Sequence, residues 1–432
     1  MSCYNKTGDE HMFEKLIFHI DVNNAFLSWE AVKRIRENPE SQDLRKIPSA
    51  VGGDMAKRKG VILAKSIPAK SYKITTGEPL TDALKKCPKL LIVPPDFKVY
   101  EKASEGFISI LKEYSPSVEK YSIDEAFMDM TTVQRLFENY LDVANEIRDR
   151  IEKELGFTVN IGISSNKLLA KMASDFKKPN LIHTLFPEEV KEKMWPLPVG
   201  ELLFVGKATE ARLYTLGIKT IGQLAVFDIE ILKVHLKKQG EIIWKFANGI
   251  DVSVVEEARP ANKGYGNSTT ISFDVADSHT AKIILLGLAE TVALRLRKEQ
   301  VKIQTISIGI KYFDFSKVSH QRILEFPTDI TNEIYKGAAK LFDEIWDGTP
   351  IRLLSIQTSR ISEKNAPEQL SFFDKKENKK YEKVDKAVDE IRARFGSASI
   401  MRASFLGRSQ NHMEGGISQD RWKQEGEKKR GK

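Results

Sequence analysis

The run LIFHIDV, residues 16–22, is almost wholly apolar and β-prone up to Asp21 and predicts a strand; AFLSWEAVKRIRE after it places apolar residues at helical spacing. Asp21 therefore falls at a strand end. GVILA (60–64) predicts a second short strand, and the turn-rich KSYKITTGEP leads into a helical LTDALKKC. SVEKYSIDEAFMDMT reads as two β segments that meet at the adjacent acids Asp124 and Glu125. Next come an amphipathic helix, YLDVANEIRDRIEKEL, a strand, TVNIGIS, and a helix, NKLLAKMASDF, capped at Ser165 or Asn166. Strands alternating with helices to residue 183 predict an α/β domain.

From 187 to 255 the pattern turns helical, with LFVGKATEARLYTLGIKTIGQLA resembling two short helices around small-residue turns. After the joint EEARPANKGYG, the strands NSTTISFDV, VKIQTISIGIKYF and PIRLLSIQTSRI alternate with the helices TAKIILLGLAETVALRLRKEQ and ITNEIYKGAAKLFDEIW. That order gives a βαββαβ unit of roughly a hundred residues. The chain beyond 361 is polar and charged, apart from QLSFF and a helical VDKAVDEIRARF, and reads as a flexible tail.

With 432 residues, 41% hydrophobic and 30% charged, the chain has the composition of a globular protein and room for about three domains. No stretch of about twenty uncharged apolar residues supports a membrane span, and the start MSCYNKTGDEHMFEK has no apolar segment for a secretory signal. The expectation is a cytoplasmic protein with no membrane partner. Cys3 and Cys87 lie in no Cys or Cys/His cluster, which leaves disulfide scaffolding, structural zinc and thiol redox chemistry without a basis. The net charge is +8, but residues 374–432 alone carry 16 Lys and Arg against 10 Asp and Glu. The rest is close to balance, so local patches rather than bulk charge must argue for nucleic acid.

Neighbouring side chains of a strand point to opposite faces, so Asp124 and Glu125 within one strand would bury a carboxylate at a cost of several kcal/mol. A hairpin turn or bulge brings both to one sheet edge, where Asp21 can join them. Three converging carboxylates repel unless a divalent cation neutralises them. Mg²⁺ takes oxygen ligands from a few carboxylates and keeps positions for substrate phosphate, and two such ions stabilise both oxygens of a phosphoryl transfer. On the acids alone, caps of a turn or solvent-facing carboxylates are the better reading.

KYSIDEAF together with FHIDVNNAF resembles the two catalytic motifs of the Y-family (translesion) DNA polymerases of the bacterial polymerase IV type, and the resemblance extends from Leu16 to Phe373. It implies a multidomain α/β and α+β fold, the right-hand polymerase with palm, fingers, helical thumb and a βαββαβ little finger. The implied boundaries are an N-terminal extension over 1–15, palm over 16–35 and 95–183, and fingers over 36–94. They continue with a helix-hairpin-helix thumb over 184–255, a linker over 256–262, a little finger over 263–361 and a flexible tail over 362–432. The implied catalytic residues are Asp21, Asp124 and Glu125. They also serve as side-chain ligands, with the Val22 backbone carbonyl, for two Mg²⁺ ions, or Mn²⁺ in their place.

By the same resemblance Phe26 is a steric gate against a ribose 2′-OH, with Asn24 and Ala25 beside the nucleotide. Asn23, Asn24 and Ala25 depart from the commoner D-x-D-x-F pattern. In AKSIPAKSYKITTGEP the family's triphosphate-holding Tyr and Arg positions are Ile67 and Lys70, which lose the hydroxyl and the bidentate fork. NKLLAKMASDFKKPN places Lys178 at the triphosphate. Lys171, seven residues earlier, reads as a solvated helix residue, two turns from Lys178 if the helix runs on.

LLFVGKATEARLYTLGI resembles a helix-hairpin-helix that would grip DNA phosphates at Val205, Gly206 and Lys207, though Phe204 replaces the first of its usual two glycines. In the little finger, Arg295, Arg297 and Lys298 would track the DNA backbone. Gln369, Leu370, Phe372 and Phe373 resemble the peptide by which bacterial polymerases dock on the sliding clamp. The implied function is error-prone translesion synthesis by a monomer, adding deoxynucleoside triphosphates to the primer 3′-OH of primer-template DNA. Two other readings stay open: a silent accessory protein that binds DNA and clamp on this fold, and a two-metal nuclease or nucleotide cyclase on a similar palm.

Overall fold

A computed structural model describes residues 15–53, 60–257, 261–363 and 376–406. They form two compact units, one built on residues up to 52 and from 62 to 257, the other mainly on residues from 261 onward. The first begins with β1 (Ile17–Val22), α1 (Ala25–Glu37), β2 (Ser49–Gly52), β3 (Ile62–Lys65), α2 (Ile67–Lys70), α3 (Leu80–Lys86), β4 (Leu91–Val93) and α4 (Phe97–Tyr114). It continues with β5 (Val118–Lys120), β6 (Glu125–Asp129), α5 (Tyr140–Arg150), β7 (Val159–Ser164), α6 (Lys167–Ser174) and β8 (Ile182–Thr184). Four helices close it: α7 (Lys207–Thr215), α8 (Ile221–Ala225), α9 (Ile229–Leu236) and α10 (Lys238–Ala247).

Five strands pair in the order β5-β6-β1-β7-β8, with β1 antiparallel to both neighbours, and β3-β2-β4 make a separate small sheet. Alternation along β1 decides which side chains meet the core. Phe18, Ile20 and Val22 pack with Trp29 of α1, Tyr100 and Phe107 of α4 and Ile147 of α5. Ile17 faces the other way, against Phe127 and Ala170 of α6. Asp21 shares that second face and stands opposite Glu125 in the β1–β6 register, so their side chains lie on one side of the sheet. No bulge is needed. The N–H groups of Tyr121 and Ser122 both donate to the Glu125 carbonyl at 3.1 Å, closing a turn that holds Asp124 and starts β6 at Glu125.

Helix α6 begins at Asn166, whose side chain accepts from the Leu169 N–H, and ends at Ser174. Lys178 therefore lies beyond the helix, and the shared helix face expected for Lys171 and Lys178 does not form. The helix backbone is seated directly on β7. A Cβ at Gly162 would stand 1.9 Å from the Ala170 carbonyl oxygen and 2.4 Å from the Ser174 nitrogen. On its far side α6 contributes Leu168, Leu169 and Met172 to a core with Leu213, Ile221, Leu232 and Ile243 of α7–α10. Held from both sides, it has no room to retreat, so Gly162→Ala is expected to destabilise the protein by about 3 kcal/mol. Urea unfolding measures this, and a change below about 1 kcal/mol would contradict the close seating of α6.

The second unit follows the βαββαβ order read from the sequence: β9 (Gly266–Val275), α11 (Ser278–Lys298), β10 (Val301–Tyr312), β11 (Lys317–Thr328), α12 (Thr331–Ile345) and β12 (Ile351–Glu363). Its antiparallel sheet, ordered β11-β10-β12-β9, is covered by α11 and α12, where Leu285, Leu288, Val292, Ile334 and Phe342 meet Ile306, Ile308, Leu354 and Ile356. The chain then adds α13 (Lys376–Phe395).

Here the structure departs from the flexible tail expected over 362–432. Residues 376–406 pack on the second unit through ionic anchors: Arg392 reaches Glu290 at 2.9 Å, and Asp389 and Asp385 hold Arg297. Phe405 packs with Ile283 and Leu286 of α11. Among the described residues no helix is long and apolar enough to cross a membrane.

Candidate active site

The β1 and β6 ends bring two of the three expected carboxylates together. Asp21 is largely buried, and burial pushes its carboxyl up to about 7; Lys178 opposes that shift, and Glu125 adds to it. The Lys178 ammonium donates to Asp21 Oδ1 at 2.9 Å and also pairs with Asp175 at 2.9 Å. Glu125 Oε1 accepts from Lys171 Nζ at 2.7 Å. Asp124 is adjacent, its carbonyl accepting from the Val22 N–H at 2.9 Å, but its carboxylate is turned to the Ser122 hydroxyl at 2.6 Å. Among the described residues no three His, Cys, Asp or Glu side chains close into a ready metal cluster.

The donor set nevertheless fits a hard divalent cation. It consists of carboxylate oxygens, and the buried Asp21 beside Glu125 is an arrangement that a cation would stabilise. In this arrangement two lysines neutralise the acids. Lys171 is 8% exposed and buried on its helix, which corrects the expectation of a solvated lysine. The physical reason is the seat at Gly162, which lays this face of α6 on the sheet. The nearby His19 is held well below the ordinary imidazole range, first by burial and then by Lys171.

Two asparagines that the motif reading did not credit order this edge. Asn23, buried, donates to Asn160 Oδ1 at 3.1 Å, and its own oxygen accepts from Thr158 Oγ1 at 3.0 Å and the Asn180 N–H at 2.8 Å. Asn160 donates to the carbonyls of Ser174 and Lys177, at 3.1 and 2.8 Å. Together they pin both ends of the loop that carries Lys178. The signal was present in the departure from D-x-D-x-F, where an amide replaces an acid.

Asn24 takes a left-handed conformation, φ 50, at the start of α1 and donates to the Lys65 carbonyl at 2.8 Å, while Ala25 is buried. Phe26 stacks on Tyr100 at 4.7 Å and lies near Trp29 and Phe97. Tyr100 is itself fixed by its hydroxyl donating to Glu30 at 2.8 Å. Ile67 and Lys70 are exposed on α2. Lys65 is a second cation at this patch, its ammonium held below its ordinary value by partial burial and by the charge of Lys70.

At the expected DNA contacts, Gly206 leads into α7 with open space around it, Val205 is buried and Lys207 is exposed. Phe204, at the place of the usual first glycine, keeps the left-handed backbone that glycine favours, φ 69, and stacks on Phe246. Arg295 donates to the Gly266 carbonyl at 3.1 Å and lies over Tyr265, and Lys298 is exposed. Arg297 is a correction: Asp389 and Asp385 hold its side chain, 10% exposed, so it is turned inward rather than toward a duplex. Gln369, Leu370, Phe372 and Phe373 lie outside the described residues.

The chain matches the impB/mucB/samB family over residues 20–175, the helix-hairpin-helix motif of that family over 187–218 and its C-terminal domain over 262–372. It is 48% identical over 392 residues to a protein named DNA polymerase IV from Clostridium acetobutylicum, covering 91% of this chain and 98% of that one. A protein of the same name from Clostridium kluyveri is 38% identical, covering 92% of this chain and all of the relative. A solved Y-family DNA polymerase chimera shares the fold with a TM-score of 0.69 at 22% identity, over 80% of this chain and 99% of its own. On these matches the chain belongs to the impB/mucB/samB family, the Y-family of translesion DNA polymerases.

Proposed function

We propose that the edge formed by Asp21, Asp124 and Glu125 is the catalytic centre of a translesion DNA polymerase that adds deoxynucleoside triphosphates to a primer 3′-OH under template direction. The observation that carries this reading is the register of β1 and β6: it sets Asp21 opposite Glu125 at the sheet edge, with Asp124 in the adjoining turn and Lys178 on Asp21. Asp21, Asp124 and Glu125, with the Val22 carbonyl, would hold two Mg²⁺ ions, or Mn²⁺, which supply charge neutralisation at the attacking and leaving oxygens. Lys178, on a loop braced by Asn23 and Asn160, presents its ammonium to the triphosphate, and Lys70 and Lys65 add positive charge at the small sheet. The partners are primer-template DNA and, through Gln369, Leu370, Phe372 and Phe373, a sliding clamp. The protein acts as a cytoplasmic monomer in damage tolerance.

Primer extension on a short primer-template with Mg²⁺ and four deoxynucleotides tests the reading, and extension that follows the template is the expected outcome. Folded protein that binds the DNA and extends nothing would favour the accessory-protein reading.

Phe26 acts as the gate because its ring is clamped by Tyr100 and cannot swing from an incoming ribose. Phe26→Ala is expected to raise ribonucleotide relative to deoxynucleotide incorporation by about a hundredfold, equivalent to about 2.7 kcal/mol. Single-nucleotide incorporation measures this ratio, and an unchanged value removes Phe26 from ribose discrimination.

A further inference from the structure

We propose that Lys171 is a positioning residue of the catalytic centre, holding Glu125 by one carboxylate oxygen so that the other faces the divalent cation. This inference rests on the polymerase reading above. The bond from Lys171 Nζ to Glu125 Oε1 is 2.7 Å, and the two side chains are 10% and 19% exposed. The ammonium also lies 5.6 Å from the centre of the Tyr121 ring, on the turn that precedes Glu125. Main-chain bonds from Tyr121 and Ser122 to the Glu125 carbonyl fix the backbone of this acid. Lys171 fixes its carboxylate.

The contrast with Lys178 separates the two lysines by role. Lys178 is 35% exposed, lies on a loop and divides its ammonium between Asp21 and Asp175, so it can exchange one partner for a substrate phosphate. Lys171 comes from a helix whose backbone is seated on β7 at Gly162 and whose far side is embedded in the α7–α10 core. A buried ammonium that abandoned its carboxylate would carry a desolvation cost of several kcal/mol, so Lys171 stays with Glu125 throughout turnover.

Two consequences follow from a fixed ammonium on a metal-binding carboxylate. The charge competes with the cation and weakens its hold. The hydrogen bond removes rotational freedom from the carboxylate and restricts it to the orientation that the reaction uses. Lys171 therefore acts through Glu125 and not on substrate.

The test is Lys171→Met, which keeps most of the length and removes the charge. Mn²⁺ binding, titrated by electron paramagnetic resonance without turnover, is expected to tighten by about tenfold as the competing charge is lost. The single-turnover rate at saturating Mn²⁺ is expected to fall by about tenfold to a hundredfold, with the deoxynucleotide dissociation constant unchanged. Mn²⁺ affinity that is unchanged or weaker, or an unchanged rate, would overturn the assignment.

Glu125→Ala, which leaves Lys171 no acceptor at that position, provides the second arm. Adding Lys171→Met to it is expected to lower the residual rate by less than about twofold, because the partner through which Lys171 acts is already altered. A multiplicative further loss would show that Lys171 touches substrate itself, and the positioning role would be wrong. If the wild type extends no primer, the polymerase reading fails, while the Mn²⁺ titration still decides whether Lys171 competes at Glu125.

Discussion

Glu125→Gln combined with Asp124→Asn is expected to lower the single-turnover rate of primer extension by at least about a thousandfold, equivalent to about 4 kcal/mol of lost transition-state stabilisation. The substitutions remove two negative charges and keep the side-chain shapes. The turn depends on main-chain bonds, from Tyr121 and Ser122 to the Glu125 carbonyl and from Val22 to the Asp124 carbonyl, and these do not involve the altered atoms. A glutamine oxygen at position 125 still accepts from Lys171, so the buried ammonium keeps a hydrogen bond. Folding and DNA affinity should therefore stay near those of the wild type, which fluorescence anisotropy on a labelled primer-template checks in parallel. Retention of more than about a tenth of the rate would mean that these acids only close a turn.

Arg392→Ala is expected to lower the stability of the second unit by about 3 kcal/mol. Glu290 sits 4% exposed among mostly apolar buried residues of α11, which makes it a costly residue to bury alone. Arg392 donates to it at 2.9 Å and to the Ile400 carbonyl at 3.2 and 3.1 Å, and Arg402 reaches its other oxygen. Removing Arg392 leaves the buried carboxylate with the more exposed Arg402 alone. The double variant Glu290→Leu with Arg392→Met should recover most of the loss, because a matched apolar pair has no charge to desolvate. Urea unfolding of both variants measures this. A cost below about 1 kcal/mol for Arg392→Ala would show that α13 is only loosely attached.

What the sequence discloses about this molecule follows from how local its signals are. The strand at 17–22, helix α1, the cap at Asn166 and the turn at Asp124 are set by residues within a few positions of one another, and the structure places them where the pattern predicts. The pairing of β1 with β6 spans about a hundred positions, yet the motifs KYSIDEAF and FHIDVNNAF point to it because each carries an acid that the resemblance brings to one site.

Lys171 was not legible, since a lysine on an amphipathic helix reads as solvated until the absent side chain at Gly162 lays that helix face on the sheet. Arg297 is illegible for the converse reason. The run of basic residues at the end of α11 looks like a DNA contact, and the acids that turn Arg297 inward, Asp385 and Asp389, lie about ninety residues further along. Helix α13 docks through ion pairs rather than a strong apolar stripe, so its sequence looked like that of a free tail. At Phe204 the missing glycine suggested a looser hairpin, but the left-handed backbone is kept by an aromatic residue stacked on Phe246.

The most direct test of the account is single-turnover incorporation of one deoxynucleotide opposite each of the four templating bases, comparing wild type with Asp21→Asn. Incorporation is expected to follow base complementarity in the wild type and to be lost in Asp21→Asn, with primer-template binding retained in both. Binding without incorporation by the wild type, or incorporation that Asp21→Asn leaves intact, would contradict the claim that this carboxylate edge performs template-directed nucleotidyl transfer.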